Sequence, residues 1–312
     1  MTNISIKVLS VNISEKKGVV KHQVDSIKLD SKGVQTDAHA GDWNRQVSLL
    51  GQESVDRFEK QAGRKIAFGE FAENITTQGL ELFKTHPLDR FIGENVTLEV
   101  TQIGKKCHGD NCAIYREVGN CVMPKEGIFC RVIKQGTLRS EDVFVYEPKV
   151  YNVKIITLSD RASIGEYADL SGPRIKDLLK SFFEEKQIPV EFDLQVIPDN
   201  EVMLMELMEK TKKDKMDFLF TTGGTGIGPR DITPEIVKVF LDKEIPGIMD
   251  LIRIKYGQEK PGALLSRSTA GLMGSTIVYT LPGSVKAVEE YISEITKTML
   301  HLVYTINRLD VH

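Results

Sequence analysis

The chain has 312 residues, 41% of them apolar and 27% charged, with a formal net charge of −3. That length suits two domains better than one hydrophobic core, and the charge balance excludes a general nucleic-acid binder held by phosphate contacts. No apolar run approaches the length of a membrane span, and MTNISIKVLSVNIS lacks the basic start and apolar stretch of a signal peptide, so a cytoplasmic protein with no membrane partner is expected. In chain order, ISIKVLSVNIS and RQVSLLG read as short strands, and ESVDRFEKQAG as a helix ended by Gly63. ENVTLEVTQIGK alternates, with Val96, Leu98 and Val100 on one side and Thr97, Glu99 and Thr101 on the other. DVFVYEP closes this half. Many strands with few helices predict a β-rich barrel or sandwich over residues 1–147.

After a Pro-containing linker near EPKV the rhythm changes. VKIITLS is a buried type of strand. SGPRIKDLLKSFFEEK is an amphipathic helix with Ile175, Leu178, Leu179, Phe182 and Phe183 on one face, capped by Ser171 or Gly172. FDLQVIP (strand), EVMLMELMEKTKK (helix) and DFLFTT (strand) follow. TPEIVKVFLDK is a helix with Thr233 as N-cap and Pro234 in its first position. STIVYTL is the last strand and SVKAVEEYISEITKTMLHLVYTI a long final helix. The alternation predicts a three-layer α/β domain with a mostly parallel sheet over 151–312.

Four polar clusters of this second half each follow a predicted strand: SDRAS (159–163), Pro198-Asp199, TTGGTG (221–226) and LPGS (281–284). Ligands of open α/β sheets bind at that edge. In TTGGTGIGPRDITPE the glycines Gly223, Gly224 and Gly226 let backbone N–H groups approach an anion, and Thr221, Thr222 and Thr225 add hydroxyls, so phosphate is the expected guest. No Gly-Lys-Ser/Thr follows, which excludes a Walker loop. Asp231 beside a phosphate site calls for a cation, and Mg²⁺ typically meets one or two carboxylates plus substrate phosphates; Asp199 is the candidate second carboxylate. The structural alternative is that both aspartates cap helices.

LSDRASIGEYADLSGP, VIPD, TTGGTGIGPRDITPE, IPGIMDLIR, LLSRSTAGLMGSTIVYTLPGS and KAVEE together resemble the molybdopterin adenylyltransferase family, from residue 151 to about residue 308. One departure is Asn200 after Asp199, where some members carry Glu. The resemblance implies transfer of AMP from ATP to molybdopterin with release of pyrophosphate. It implies Asp199 and Asp231 as the essential carboxylates that hold Mg²⁺, and the loop Thr221–Gly226 as the holder of phosphate or pterin. Ser159, Asp160, Ser266, Arg267, Pro282, Gly283 and Ser284 would line the rest. It also implies a homo-oligomer, trimer or hexamer, with a molybdenum insertase and molybdoenzymes as possible partners.

The first half carries all four cysteines, Cys107, Cys112, Cys121 and Cys130, in one segment. They can be read as small apolar packing residues, as zinc ligands with His108 (only Cys107 to Cys112 comes near the usual spacing), or as a source of one reactive thiolate. DAHAGDWNRQVSLLG, FGEFAENITTQGL, IGENVTLEVTQIGKKCH, CAIY, GNCVMPKEGIFCRV and SEDV resemble the MOSC domain, a family related to the C-terminal domain of molybdenum cofactor sulfurases. That resemblance implies a barrel whose cysteine binds sulfur or the molybdenum cofactor. Cys112 matches best, with Cys107 and Cys121 as rivals; Arg45 and Lys105 or Lys106 would meet the cofactor phosphate, and Asn74 and Thr76 would line the cleft. Asp37, His39 and Asp42 form a further polar cluster beside Gly41. The combined expectation is a two-domain protein of molybdenum cofactor biosynthesis. A non-catalytic cofactor carrier and a nucleotide pyrophosphatase are the rival readings.

Overall fold

The computed structural model describes residues 4–106 and 121–309. The chain divides into two compact units, one running to Lys149 and including the segment from Arg308, the other Val150–Asn307.

In the first unit a seven-strand ring closes on itself. Its members are β1 (Ile4–Ile13), β5 (Val47–Gly51), β6 (Ile75–Gln78), β7 (Arg90–Gly93), β8 (Thr97–Ile103), β9 (Ile128–Lys134) and β11 (Val143–Glu147). The order β11-β7-β8-β9-β5-β6-β1 returns to β11, so the sheet is a barrel and keeps no open edge in that ring. All ring pairs are antiparallel except β5–β6, which are parallel. A parallel pair needs a crossover, and helix α1 (Gln52–Ala62) supplies it, ending at Gly63 in the left-handed conformation. β2 (His22–Val24) extends the ring beside β1, while β3 (Ser26–Asp30), β4 (Gly33–Val34) and β10 (Gly136–Arg139) form a small separate sheet. The alternation read in ENVTLEV is real: Val96, Leu98 and Val100 are in the apolar core. The polar side is nevertheless covered as well. Glu99 is buried, and its carboxylate takes Arg90 at 2.9 Å and Arg131 at 2.6 Å.

The second unit is built on a six-strand sheet of order β13-β12-β14-β17-β16-β15, with β12 Tyr151–Leu158, β13 Val190–Ile197, β14 Phe218–Thr222, β15 Lys243–Glu244, β16 Ala270–Met273 and β17 Thr276–Leu281. The first four are parallel; β16 and β15 run antiparallel at one edge. From β12 the chain goes out to β13 on one side, then returns to β14 on the other. The order therefore reverses at β12, which is where open sheets form a crevice. Helices Glu201–Lys213 and Thr233–Phe240 bury Leu204, Met208, Ile236 and Val237 against Ile156, Leu158, Leu219 and Val278. The helices Ser171–Glu185 and Val285–Ile306 pack against each other and the sheet. The helix Pro246–Gly257 was not anticipated as an element.

Two caps differ from the expectation, and a third bears on the alternative reading of Asp199 as a cap. The helix at Ser171 is capped by neither Ser171 nor Gly172 but by Asp169, whose Oδ1 accepts from the Ser171 N–H, the Ser171 hydroxyl and the Gly172 N–H. Thr233 is inside its helix, not before it; its hydroxyl donates back to the Gly223 carbonyl at 2.9 Å. Asn200, not Asp199, caps the helix Glu201–Lys213, accepting from the Met203 N–H.

Candidate functional site

The loops that follow β12, β13 and β14 line an open cavity of about 520 Å³. Two glycines make the floor possible. Gly223 has φ +100° and a Cβ there would lie 2.2 Å from the Leu158 carbonyl oxygen; Gly224 has φ +61° and a Cβ would lie 2.5 Å from the Thr233 hydroxyl. Only glycine tolerates both the sign of φ and the space. The chain therefore turns sharply off β14 and leaves Gly224 open to the cavity, close to Asp199: a Cβ on Gly224 would lie 3.7 Å from Asp199 Oδ1.

Of the residues expected to form the site, Ser159, Asp160, Asp199, Gly224 and Asp231 line this cavity together. Ser159 caps the short helix Asp160–Ser163 and shares a 2.8 Å hydrogen bond with the Tyr167 hydroxyl. Asp160 Oδ1 accepts the Asp199 N–H at 3.0 Å, and its Oδ2 lies 3.2 Å from Arg230. Because Asn200 does the capping, Asp199 keeps its carboxylate at the cavity. Burial raises the Asp199 pKa above the ordinary carboxylate value, and the negative charges of Asp160 and then Asp231 push it the same way. Asp231 Oδ2 accepts the Gly228 N–H at 2.7 Å.

The other expected residues stand behind the loop. Thr221 and Thr222 are buried in β14, with the Thr222 hydroxyl donating to the Pro282 carbonyl at 2.9 Å. Thr225 is buried, and Gly226 would clash with Asp231 if it carried a Cβ. Gly283 abuts Gly223: a Cβ there would lie 3.5 Å from its Cα. Ser284 caps the final helix, Ser266 accepts from the Tyr291 hydroxyl, and Arg267 is bonded to the loop itself. The sequence reading missed Arg161, Tyr167 and Arg230, which line the cavity. The Arg161 guanidinium lies over the Tyr167 ring at 5.2 Å. All three sit inside quoted motifs, SDRAS, GEY and GPRD, and a cavity meant for phosphates needs cations as well as glycines.

No group of three or more His, Cys, Asp and Glu among the described residues has the arrangement of a self-sufficient metal site. Asp199 and Asp231, which line one cavity with Asp160, fit a cation that takes most of its ligands elsewhere.

In the first unit, Cys107, Cys112 and His108 lie outside the described residues. Cys121 packs with Leu50, Phe58, Phe71 and Phe129. Cys130 is fully buried, and burial followed by the Glu99 charge pushes its thiol well up, the reverse of a reactive thiolate. Lys21 and Asp37 form an ion pair with 1% of each side chain exposed, and His39 Nδ1 stands 3.4 Å from each. Burial pushes Asp37 up, but hydrogen bonds from His39 and Lys21 outweigh it and hold the carboxyl well below the usual range. Asn74 and Thr76 are buried in a polar network. Asn74 Oδ1 accepts from the Ser48 N–H and hydroxyl, and Thr76 donates to Glu73. Asp42 is exposed; Arg45 lies over the Trp43 ring at 4.8 Å and Lys105 over Phe129 at 6.0 Å.

Comparison with known proteins gives two family matches. Residues 154–301 match the family described as "Probable molybdopterin binding domain", and residues 36–145 match the MOSC domain. A molybdopterin adenylyltransferase of Helicobacter pylori strain J99 is 35% identical over 140 residues, 45% of this chain and 78% of that protein. One from Pyrococcus furiosus is 33% identical over 161 residues, 50% of this chain and 91% of that protein. Gephyrin of Dictyostelium discoideum is 35% identical over 161 residues, 50% of this chain, and the chain spans only 22% of its length.

Proposed function

Because the chain belongs to the molybdopterin-binding family of molybdenum cofactor biosynthesis proteins, with a MOSC domain in its first half, we propose that its second unit transfers AMP from ATP to molybdopterin. The observation that carries this reading is the convergence of Asp160, Asp199 and Asp231 with Arg161 and Arg230 on one glycine-floored cavity at the reversal point of a parallel sheet.

The terminal phosphate oxygen of molybdopterin forms a bond to the α-phosphorus of ATP. The bond from that phosphorus to the β-bridging oxygen breaks, and pyrophosphate leaves with the electron pair. Phosphate chemistry of this kind asks a protein mainly for position and charge. Asp199 and Asp231 would hold Mg²⁺, which supplies charge neutralisation for the phosphate oxygens when bound. Arg161 and Arg230 offer further positive charge at the rim. Arg230 leaves Asp160 to do so, and that exposed ion pair is weak enough to exchange. Gly224 lets the ligand approach the backbone.

The test is pyrophosphate release from ATP and Mg²⁺, with and without molybdopterin, for the wild type and Asp231→Asn. Release that requires the pterin, and that falls about 10²-fold or more in the variant, is the expected result. Release without pterin would make the protein a nucleotide pyrophosphatase. Pterin binding without release would make it a carrier. For the first unit we propose that it binds the pterin or its metal-bearing product through Cys112. Cys121 and Cys130, packed in apolar surroundings, support Cys112, with Cys107 as its remaining rival, over them. Mild alkylation near neutral pH should label one cysteine preferentially, and Cys112→Ser should abolish that labelling.

A further inference from the structure

We propose that Arg267 is a positioning residue of the cavity, holding Asp231 through main-chain carbonyls instead of meeting substrate with its charge. The inference rests on the function proposed for the cavity. The Arg267 guanidinium faces the loop that carries the carboxylate. Nε donates to the Gly226 carbonyl at 2.6 Å, Nη2 to the Asp231 carbonyl at 2.6 Å, and Nη1 reaches Glu235. The Arg267 N–H adds a 2.9 Å bond to the Thr225 carbonyl. One side chain thus clips the segment Gly226–Asp231 at both ends. Within that segment Asp231 Oδ2 accepts the Gly228 N–H, and a Cβ on Gly226 or Gly228 would come within 2.8 or 3.0 Å of the same oxygen. The loop is closed from inside by the carboxylate and from outside by the guanidinium. One carboxylate oxygen, Oδ2, is used in that closure.

Arg267 is itself held in place. Arg253 Nη1 donates to the Ser268 carbonyl at 2.9 Å and the Ser266 carbonyl at 3.4 Å, the residues on either side of Arg267, while its Nη2 holds Asp250 at 2.6 Å. The Tyr291 hydroxyl donates to Ser266 Oγ at 3.0 Å. Two helices, Pro246–Gly257 and Val285–Ile306, therefore fix the segment that fixes the loop. A planar guanidinium can serve three separate acceptors in this way, whereas the point charge of a lysine ammonium cannot span them. Transfer chemistry that depends on placement loses rate when a supporting group loosens, even one that never touches substrate.

Arg267→Lys keeps the charge and removes the fork. The full chain would be compared as wild type, Arg267→Lys, Asp231→Asn and the double variant. Amide hydrogen exchange without substrate and pyrophosphate release with ATP, Mg²⁺ and molybdopterin would both be read. In Arg267→Lys the Gly228 amide should exchange roughly tenfold faster or more, with the amides of Phe218–Thr222 unchanged. Its kcat should fall about 100-fold with a much smaller change in KM for ATP. The double variant should be no slower than Asp231→Asn, because both lesions act through one group. Unchanged loop exchange, a loosened loop with intact kcat, or losses that multiply in the double variant would each overturn the proposal. If the wild type releases no pyrophosphate, the functional reading fails, and the exchange comparison alone still decides whether Arg267 closes the loop. If Arg267→Lys does not fold, Glu235→Ala removes one exposed acceptor of the same guanidinium. It should loosen the Gly228 amide in part, and no change there would overturn the clip.

Discussion

In the barrel, Lys21 and Asp37 face each other with 1% of each side chain exposed, and His39 stands beside them. In the α/β unit, Asp160, Asp199 and Asp231 share an open cavity in which Arg230 makes a 3.2 Å ion pair with Asp160 alone. The first arrangement matches each buried charge with an opposite one. The second gathers like charges and leaves them short of compensation. Buried pairs are held because breaking one strands the other partner; at the cavity, burial and then the neighbouring like charges raise the Asp199 pKa, which a counter-charge from a ligand would relieve. The contrast supports the cavity, and not the Lys21–Asp37 pair, as the proposed site.

The largest effect expected from this contrast is in the barrel. Asp37→Ala leaves the Lys21 ammonium buried without its partner and should destabilise the first unit by about 3–5 kcal/mol, read as a shift of its denaturant midpoint. A loss below about 1 kcal/mol would break the comparison, since the pair would then behave like a surface one. Gly223→Ala comes next. Its Cβ would meet the Leu158 carbonyl at a φ of +100°, and strain with clash together should cost about 3 kcal/mol. The same measurement checks it, and nucleotide binding should be lost with the turn.

Much of this arrangement is legible in the sequence. Alternation in ENVTLEV marked a strand, and the strand–helix rhythm after EPKV marked a parallel sheet, because both depend on side-chain period alone. Four loops on one edge pointed to a site there, since parallel strands carry their following loops to the same side, and three of the four line the cavity. What stayed hidden depends on long separations. The Lys21–Asp37 pair spans 16 residues, and Arg267 reaches back 41 residues to Gly226; nothing local to either residue announces the partner. Pro246–Gly257 escaped notice because Leu251 and Ile254 are exposed apolar residues, which blur the contrast between its faces. Thr221 and Thr222 were expected as ligand hydroxyls, yet a strand's last residues face its neighbours as often as its end.

A smaller effect tests whether Ser284 supports the fold or meets the ligand. Its hydroxyl accepts the Ala287 N–H at 3.2 Å as the cap of the final helix. Ser284→Ala should lower thermal stability by about 1 kcal/mol and leave the affinity for ATP unchanged in a calorimetric titration. A weakened affinity with unchanged stability would move Ser284 from the scaffold to the site.

The smallest effect sharpens the contrast within the barrel itself. Glu73, like Asp37, is buried, but it has no matching pair: Oε1 accepts from the Gly69 N–H at 2.6 Å and the Thr76 hydroxyl at 2.9 Å, while Oε2 is buried without a hydrogen-bond partner. Burial raises its pKa, where hydrogen bonds and an ion pair lower that of Asp37. The signs of the pH dependence are therefore opposite. The Asp37 contribution is present above the ordinary carboxylate pKa and is lost as pH falls through the depressed value. The Glu73 contribution is present below the ordinary pKa and is lost as pH rises through the raised value. Glutamine keeps an acceptor and supplies the donor that a protonated acid would, so Glu73→Gln should match the wild type at low pH. Above the raised pKa it should be as stable or more stable, by about 1 kcal/mol or less. Denaturant midpoints followed from below the ordinary carboxylate pKa upward give the comparison. A variant that loses stability as pH rises would mean that the ionised Glu73 is matched after all, with the Lys21 charge as its partner.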